Sequence, residues 1–109
     1  MAELSGGPPI DIQMAHEGPR TTISVAGEVD LATVDVLSGA IATALERPGV
    51  ELLIFDVSKL TFVDSSGLAA LLGVVDRGVE VRLRQPSRLL REIVTTTGLQ
   101  DVLRFEEGV

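Results

Sequence analysis

The chain has 109 residues, 45% of them apolar, which suits one domain with a single core. Sixteen acidic side chains against nine basic ones give a net charge of −7. Phosphate backbones and anionic membranes are therefore disfavoured as direct partners, and a basic patch on another protein is the natural complement. Cysteine, tryptophan and tyrosine are absent, which excludes disulfides, zinc–thiolate sites, thiol catalysis and stacking of bases on Trp or Tyr.

The opening MAELSGGPPIDIQ has neither the basic nor the apolar region of a signal peptide. No stretch approaches the roughly 18 uninterrupted apolar residues of a membrane span. A cytoplasmic protein is expected. Residues 1–9, with SGGPP, are expected to be a flexible leader and residues 10–109 the domain. Residues 10–16 alternate Ile10, Ile12 and Met14 with polar or small neighbours, the period of a half-buried strand. Glu17-Gly18-Pro19 is turn chemistry, and residues 20–27 alternate again, so the two runs predict a β-hairpin at a sheet edge.

Val34, Leu37, Ile41 and Leu45 recur at helical spacing, with Asp30 as the expected N-cap and Pro48-Gly49 as the stop. Residues 50–57 are nearly all apolar, as in a strand of a parallel sheet, and residues 58–62 are expected to be a loop. A second helix is expected from Ser65 or Ser66 to about Val75, closed by Asp76-Arg77-Gly78. A strand follows over residues 79–84. A third helix is expected over 86–98, with Ser87 as cap and Gly98 as stop, then a final strand by residue 105 and an acidic tail. The order β-β-α-β-α-β-α-β predicts an α/β domain with a mixed, mostly parallel sheet, an N-terminal hairpin and helices packed against it.

Sites in such sheets lie beyond the carboxyl ends of parallel strands. Asp30, Asp56 and the run Asp64-Ser65-Ser66-Gly67 map there and are expected to be neighbours. The run has a plain reading as a helix cap. Gly67 is poor inside a helical turn, and its value is expected to be a bare backbone that another molecule can approach. The same geometry also exposes a serine at a helix N-terminus, where a phosphate is tolerated and would add nearly two charges to an acidic surface. A hydrolase lacks support. The only histidine, His16, belongs to the hairpin and is expected to face solvent, and there is no G-x-S-x-G. A magnesium phospho-receiver would need adjacent carboxylates and a well-placed lysine, yet the single lysine, Lys59, lies between Asp56 and Asp64. No phosphate loop is present, and no metal or cofactor is expected.

GEVD (27–30), LLIFDVSKLTFVDSSGLAALLG (52–73) and PSRLLREIVTTTGLQDVLRF (86–105) resemble the STAS domain, and more narrowly the stand-alone bacterial antagonists of anti-sigma factors. The resemblance runs from about Ile10 to Phe105. It implies a partner switch and no enzymatic activity. The unphosphorylated form binds an anti-sigma factor that is itself a serine kinase, freeing a sigma factor. Phosphorylation of Ser65 releases the complex, and a phosphoserine phosphatase resets it. The resemblance further implies a partner surface of Asp30, Asp64, Ser65, Ser66 and Gly67, with Ser66 as the neighbouring cap. A STAS scaffold subunit of a signalling assembly or membrane transporter, without phosphotransfer, is the alternative. The chain departs from the pattern in having only 18 residues between Gly67 and Pro86, which leaves a helix of about ten residues beside the site.

Overall fold

Alternating apolar side chains build the hairpin. In the computed structural model, which describes residues 10–106, β1 (Ile10–Glu17) and β2 (Arg20–Val29) pair antiparallel, Ile12 opposite Val25 and Met14 opposite Ile23. The leader expected over residues 1–9 lies outside the described residues. After β2 come α1 (Val34–Leu45), β3 (Leu52–Val63), α2 (Ser65–Asp76), β4 (Glu80–Arg84), α3 (Arg88–Thr96), a 3-10 turn at Leu99–Asp101 and β5 (Leu103–Glu106). The five strands lie side by side in chain order, and every pair after the hairpin is parallel. Right-handed crossovers that always step the same way place all three helices on one face.

Burial follows from that arrangement. The register aligns Ile23, Phe55, Leu83 and Phe105 across four strands, and Thr21, Leu53, Val81 and Leu103 in the next row. These rows meet Leu37, Ile41 and Ala44 of α1, Leu71 and Val74 of α2, and Leu90 and Val94 of α3 to form the core. The opposite face carries Ser24, Asp56, Arg84 and Glu106 in one row, with an Arg84–Glu106 ion pair joining the last two strands. Ile54 is the exception on this polar face, fully buried between Thr22 and Arg82 in the register.

Two expectations about local structure are corrected. Residues 58–62 are not a loop: β3 runs on to Val63 because β2 continues beside it, to the pair Val29–Val63. Register shifts between Ser24 and Ala26 and between Gly27 and Glu28 carry the pairing past the point where simple alternation stops. Nor does Asp30 cap α1. Thr33 occupies the N-cap position without a side-chain cap bond, and Asp30 instead closes the turn before it. The third helix follows its signals, with the Ser87 hydroxyl accepting from Leu90 N at 3.1 Å and Gly98 left-handed at φ 77.

One backbone feature shapes the end of the sheet. Gln85 is the single non-glycine residue with positive φ (53) among the described residues, a conformation costing about 1 kcal/mol for an L side chain. It turns the chain off the sheet just after Arg84 pairs with Asp56, and Pro86-Ser87 then lead into α3.

Candidate functional site

The site forms where β2 and β3 end together. Val29 O accepts from Asp64 N at 3.1 Å, which ties the loop after β2 to the start of α2. Asp64 is extended (φ −108, ψ −171) and is the N-cap residue of α2, so Ser66 is not the cap that the sequence suggested. The Asp64 carboxylate accepts from Ser66 N at 2.9 Å, from Gly67 N at 3.4 Å and from the Ser66 hydroxyl at 2.5 Å. The Ser66 hydroxyl is the main reason that the Asp64 carboxyl lies below the ordinary carboxylate range. Partial desolvation opposes the shift, and the amides of Ser66 and Gly67 reinforce it.

This leaves Ser65 as the serine that caps nothing. It occupies the first helical position, its side chain is exposed, and its hydroxyl bonds to no described residue. Ser66, half-buried, is held against Asp64. The neighbouring residue types are the same, but only one hydroxyl is presented to solvent.

Gly67 serves the packing of the chain itself. It is buried, and a Cβ built there would stand 2.6 Å from Val63 Cγ2 and 2.8 Å from Val29 Cγ1. The close approach expected of a second molecule is made instead by the ends of β2 and β3. Gly67 therefore acts on the surface by seating α2 close to the sheet.

Asp30 lies one residue beyond Val29, so the same backbone bond brings it beside the Asp64 turn. Its Oδ1 accepts from Ala32 N at 3.0 Å and Thr33 N at 3.1 Å. Thr33, only 2% exposed, accepts from Asp30 N at 3.0 Å and donates to Glu28 O at 2.8 Å. Sequence reasoning missed Thr33. Its signal was a threonine three residues after an aspartate, which is a turn-closing pair. Leu31, at the tip of this loop, is 81% exposed.

Asp56 does not join the group. It sits eight residues before Asp64 on a strand that does not end there, and its partner Ser24 is five residues from Val29 along β2, about 17 Å at ~3.3 Å per residue. Its carboxylate instead accepts from the Ser58 hydroxyl and amide, in a polar recess on the open face of the sheet that includes Ser24 and Lys59. Among the described residues no three His, Cys, Asp or Glu side chains converge as metal ligands. His16 is exposed and bonds to Thr21 at the hairpin end of β2, eight residues from Val29 along that strand, so it cannot act as a base for Ser65. What the site offers is an accessible hydroxyl at a helix start, with Asp64 directly before it and the Asp30 loop tied alongside through Val29.

Residues 12–104 match the family described as "Mlab, STAS domain". An anti-sigma F factor antagonist of Paenibacillus polymyxa is 24% identical over 98 residues, covering 86% of this chain and 84% of that protein. The crystal structure of an anti-sigma factor antagonist from Mycobacterium paratuberculosis superposes with a TM-score of 0.76 at 25% identity, covering 97% of this chain and 92% of the other. The antagonist SpoIIAA in its unphosphorylated form has the same fold, with a TM-score of 0.72 at 24% identity over 89% of each chain. The phosphorylated form of the Bacillus protein gives 0.68 at 24% identity, over 89% of this chain and 92% of that one.

Proposed function

The chain belongs to the STAS-domain family, and on that premise we propose that it is an anti-sigma factor antagonist switched by phosphorylation of Ser65. The unphosphorylated form binds an anti-sigma factor that is also a serine kinase, and a sigma factor is released. The kinase then transfers the γ-phosphoryl group of ATP to the Ser65 oxygen. ADP leaves, and the hydroxyl proton passes to a base of the kinase. A phosphatase hydrolyses the ester and resets the cycle. The activity is that of a binding protein in the cytoplasm, since the chemistry belongs to its partners. No helix among the described residues is long and apolar enough to cross a membrane.

One observation carries the reading: Ser65 is the exposed, unbonded hydroxyl of a helix start where Asp64 already caps the amides of Ser66 and Gly67. A phosphate added there finds the amides of Ser66 and Gly67 engaged. It does not replace the cap, and it adds nearly two charges beside Asp64 and Asp30. The effect is repulsion at the docking surface with the fold intact. The expected result is that Ser65→Ala stays bound to the anti-sigma factor under ATP, while Ser65→Asp loses tenfold or more in affinity. Mass spectrometry of the wild-type chain after incubation with kinase and ATP should place one phosphate on Ser65. Phosphate at another residue, with Ser65→Asp binding as wild type, would sink the reading.

A second reading keeps the family and drops the phosphotransfer: a scaffold subunit of a signalling assembly or membrane transporter. Its support is that capping alone accounts for Asp64 and Ser66, and packing alone for Gly67. It expects stable co-purification with a large partner, unchanged by Ser65→Asp.

A further inference from the structure

The second half of β3 has a neighbour on one side only. β4 leaves the sheet after Arg84, opposite Asp56, where left-handed Gln85 turns the chain away. From Val57 to Val63 the strand pairs with β2 alone, and no backbone bond from another described segment fills the other side. α3 passes alongside and leaves a groove of about 210 Å³, walled by Leu60, Thr61, Phe62 and Val63 on the strand and by Leu89 and Ile93 on the helix. Side chains of a strand alternate between its faces. The register shift at Thr61 interrupts that alternation, and the four consecutive residues line one groove beside the strand's open edge. Phe62 is 51% exposed and Leu89 66%, so the groove is both apolar and open.

We propose that this groove takes an extended segment of the partner protein, added as a sixth strand along residues 57–63 with its apolar side chains packed between Phe62 and Leu89. The identity of the partner rests on the antagonist reading above; the groove itself does not. The free edge decides the chemistry of the occupant. A row of unpaired N–H and C=O groups is matched by another polypeptide backbone, not by a lipid or an apolar small molecule. A second copy of this chain would bring its own α3 against the first, whereas a bare strand fits between the strand edge and the helix. The location is also continuous with the switch. The groove ends at Val63, and Asp64 and Ser65 follow immediately, so a segment seated there lies beside the phosphorylated position.

A heptapeptide of alternating valine and lysine tests this on the full chain, the lysines suiting a protein of net charge −7. Added peptide should slow amide hydrogen exchange within residues 57–63. Methylating one alternate set of peptide amides should weaken binding tenfold or more, and methylating the other set should not. Leu89→Glu, at an exposed position, should weaken it similarly. No slowing at millimolar peptide, slowing confined to other strands, or equal binding of both methylated peptides would overturn the proposal. So would exchange that slows with protein concentration alone while sedimentation shows a dimer, since the edge would then belong to a second copy. Failure of the Ser65 variants to differ in partner binding would overturn the antagonist reading and leave the peptide result standing.

Discussion

At the scale of single residues, the candidate site turns on a division of labour between two adjacent serines. Asp64 fixes Ser66 and leaves Ser65 free. The aspartate is also a titrating part of the cap. Its carboxyl is lowered in the folded state, first by the Ser66 hydroxyl. The contribution to stability is therefore complete above the unfolded carboxylate value and is lost as pH falls through the lowered folded value. Asp64→Asn should lower the urea midpoint near neutral pH, and the difference from wild type should shrink with acidification below the carboxylate range. A difference that stays constant into acid would show that the carboxylate is not what holds the turn. Gly67 makes a second residue-level prediction. Gly67→Ala gains helix propensity worth up to ~1 kcal/mol. It also forces a Cβ against Val29 and Val63, an overpacking cost of about 1–3 kcal/mol. The net result should be a lower denaturation midpoint, partly restored by adding Val63→Ala.

At the scale of elements, α1 and α2 each contain a glycine whose missing side chain serves no visible contact. A Cβ at Gly39 or Gly73 would meet nothing within 4 Å, and neither has positive φ. Gly39→Ala and Gly73→Ala should each stabilise by roughly 0.5–1 kcal/mol, read by thermal or urea unfolding. The contrast with Gly67, six residues earlier on the same helix as Gly73, separates a packing glycine from tolerated ones. α2 spans twelve residues, ten of them from Gly67 onward, so the 18 residues between Gly67 and Pro86 hold the rest of this helix, a turn and the five-residue β4. Because β4 is short and turns off at Gln85, the end of β3 is left bare. The short segment and the open groove are thus connected features of the same region.

At the scale of the whole molecule, the sheet has one face covered by helices and one face to solvent, and the two make different demands. The open face holds its rows together with Arg84–Glu106 and Arg82–Glu80 pairs. The Arg84 guanidinium is raised above its ordinary value chiefly by its hydrogen bond to Glu106. Ile54 is fully buried there although no helix covers it. Ile54→Ala should cost about 2–4 kcal/mol, comparable with losing a core side chain on the covered face, as measured by chemical denaturation. A cost under ~1 kcal/mol would mean that the open face contributes little to closing the sheet. The separation of the ends matters for function as well. The hairpin turn with His16 and the Asp30–Ser65 surface occupy opposite ends of β2, so the only histidine is remote from the exposed serine.

Period-two alternation, helical spacing, caps and stops determined the order of elements, because each is a local signal that a few neighbouring residues suffice to set. The Ser87 cap and the Gly98 stop were legible for that reason, and the acidic charge and the DSSG run at a strand-to-helix junction were legible too. The continuation of β3 through residues 58–63 was not. It depends on pairing with β2 across register shifts, a contact between segments more than thirty residues apart. The same holds within the site. Sequence offered three aspartates, two serines and a glycine. Long-range packing separated Asp56 from the others, assigned the cap to Asp64, filled the space above Gly67 with Val29 and Val63, and left Ser65 as the free hydroxyl. Residue type and local period are written along the chain, whereas which of two equivalent hydroxyls meets solvent is decided by what folds back against it.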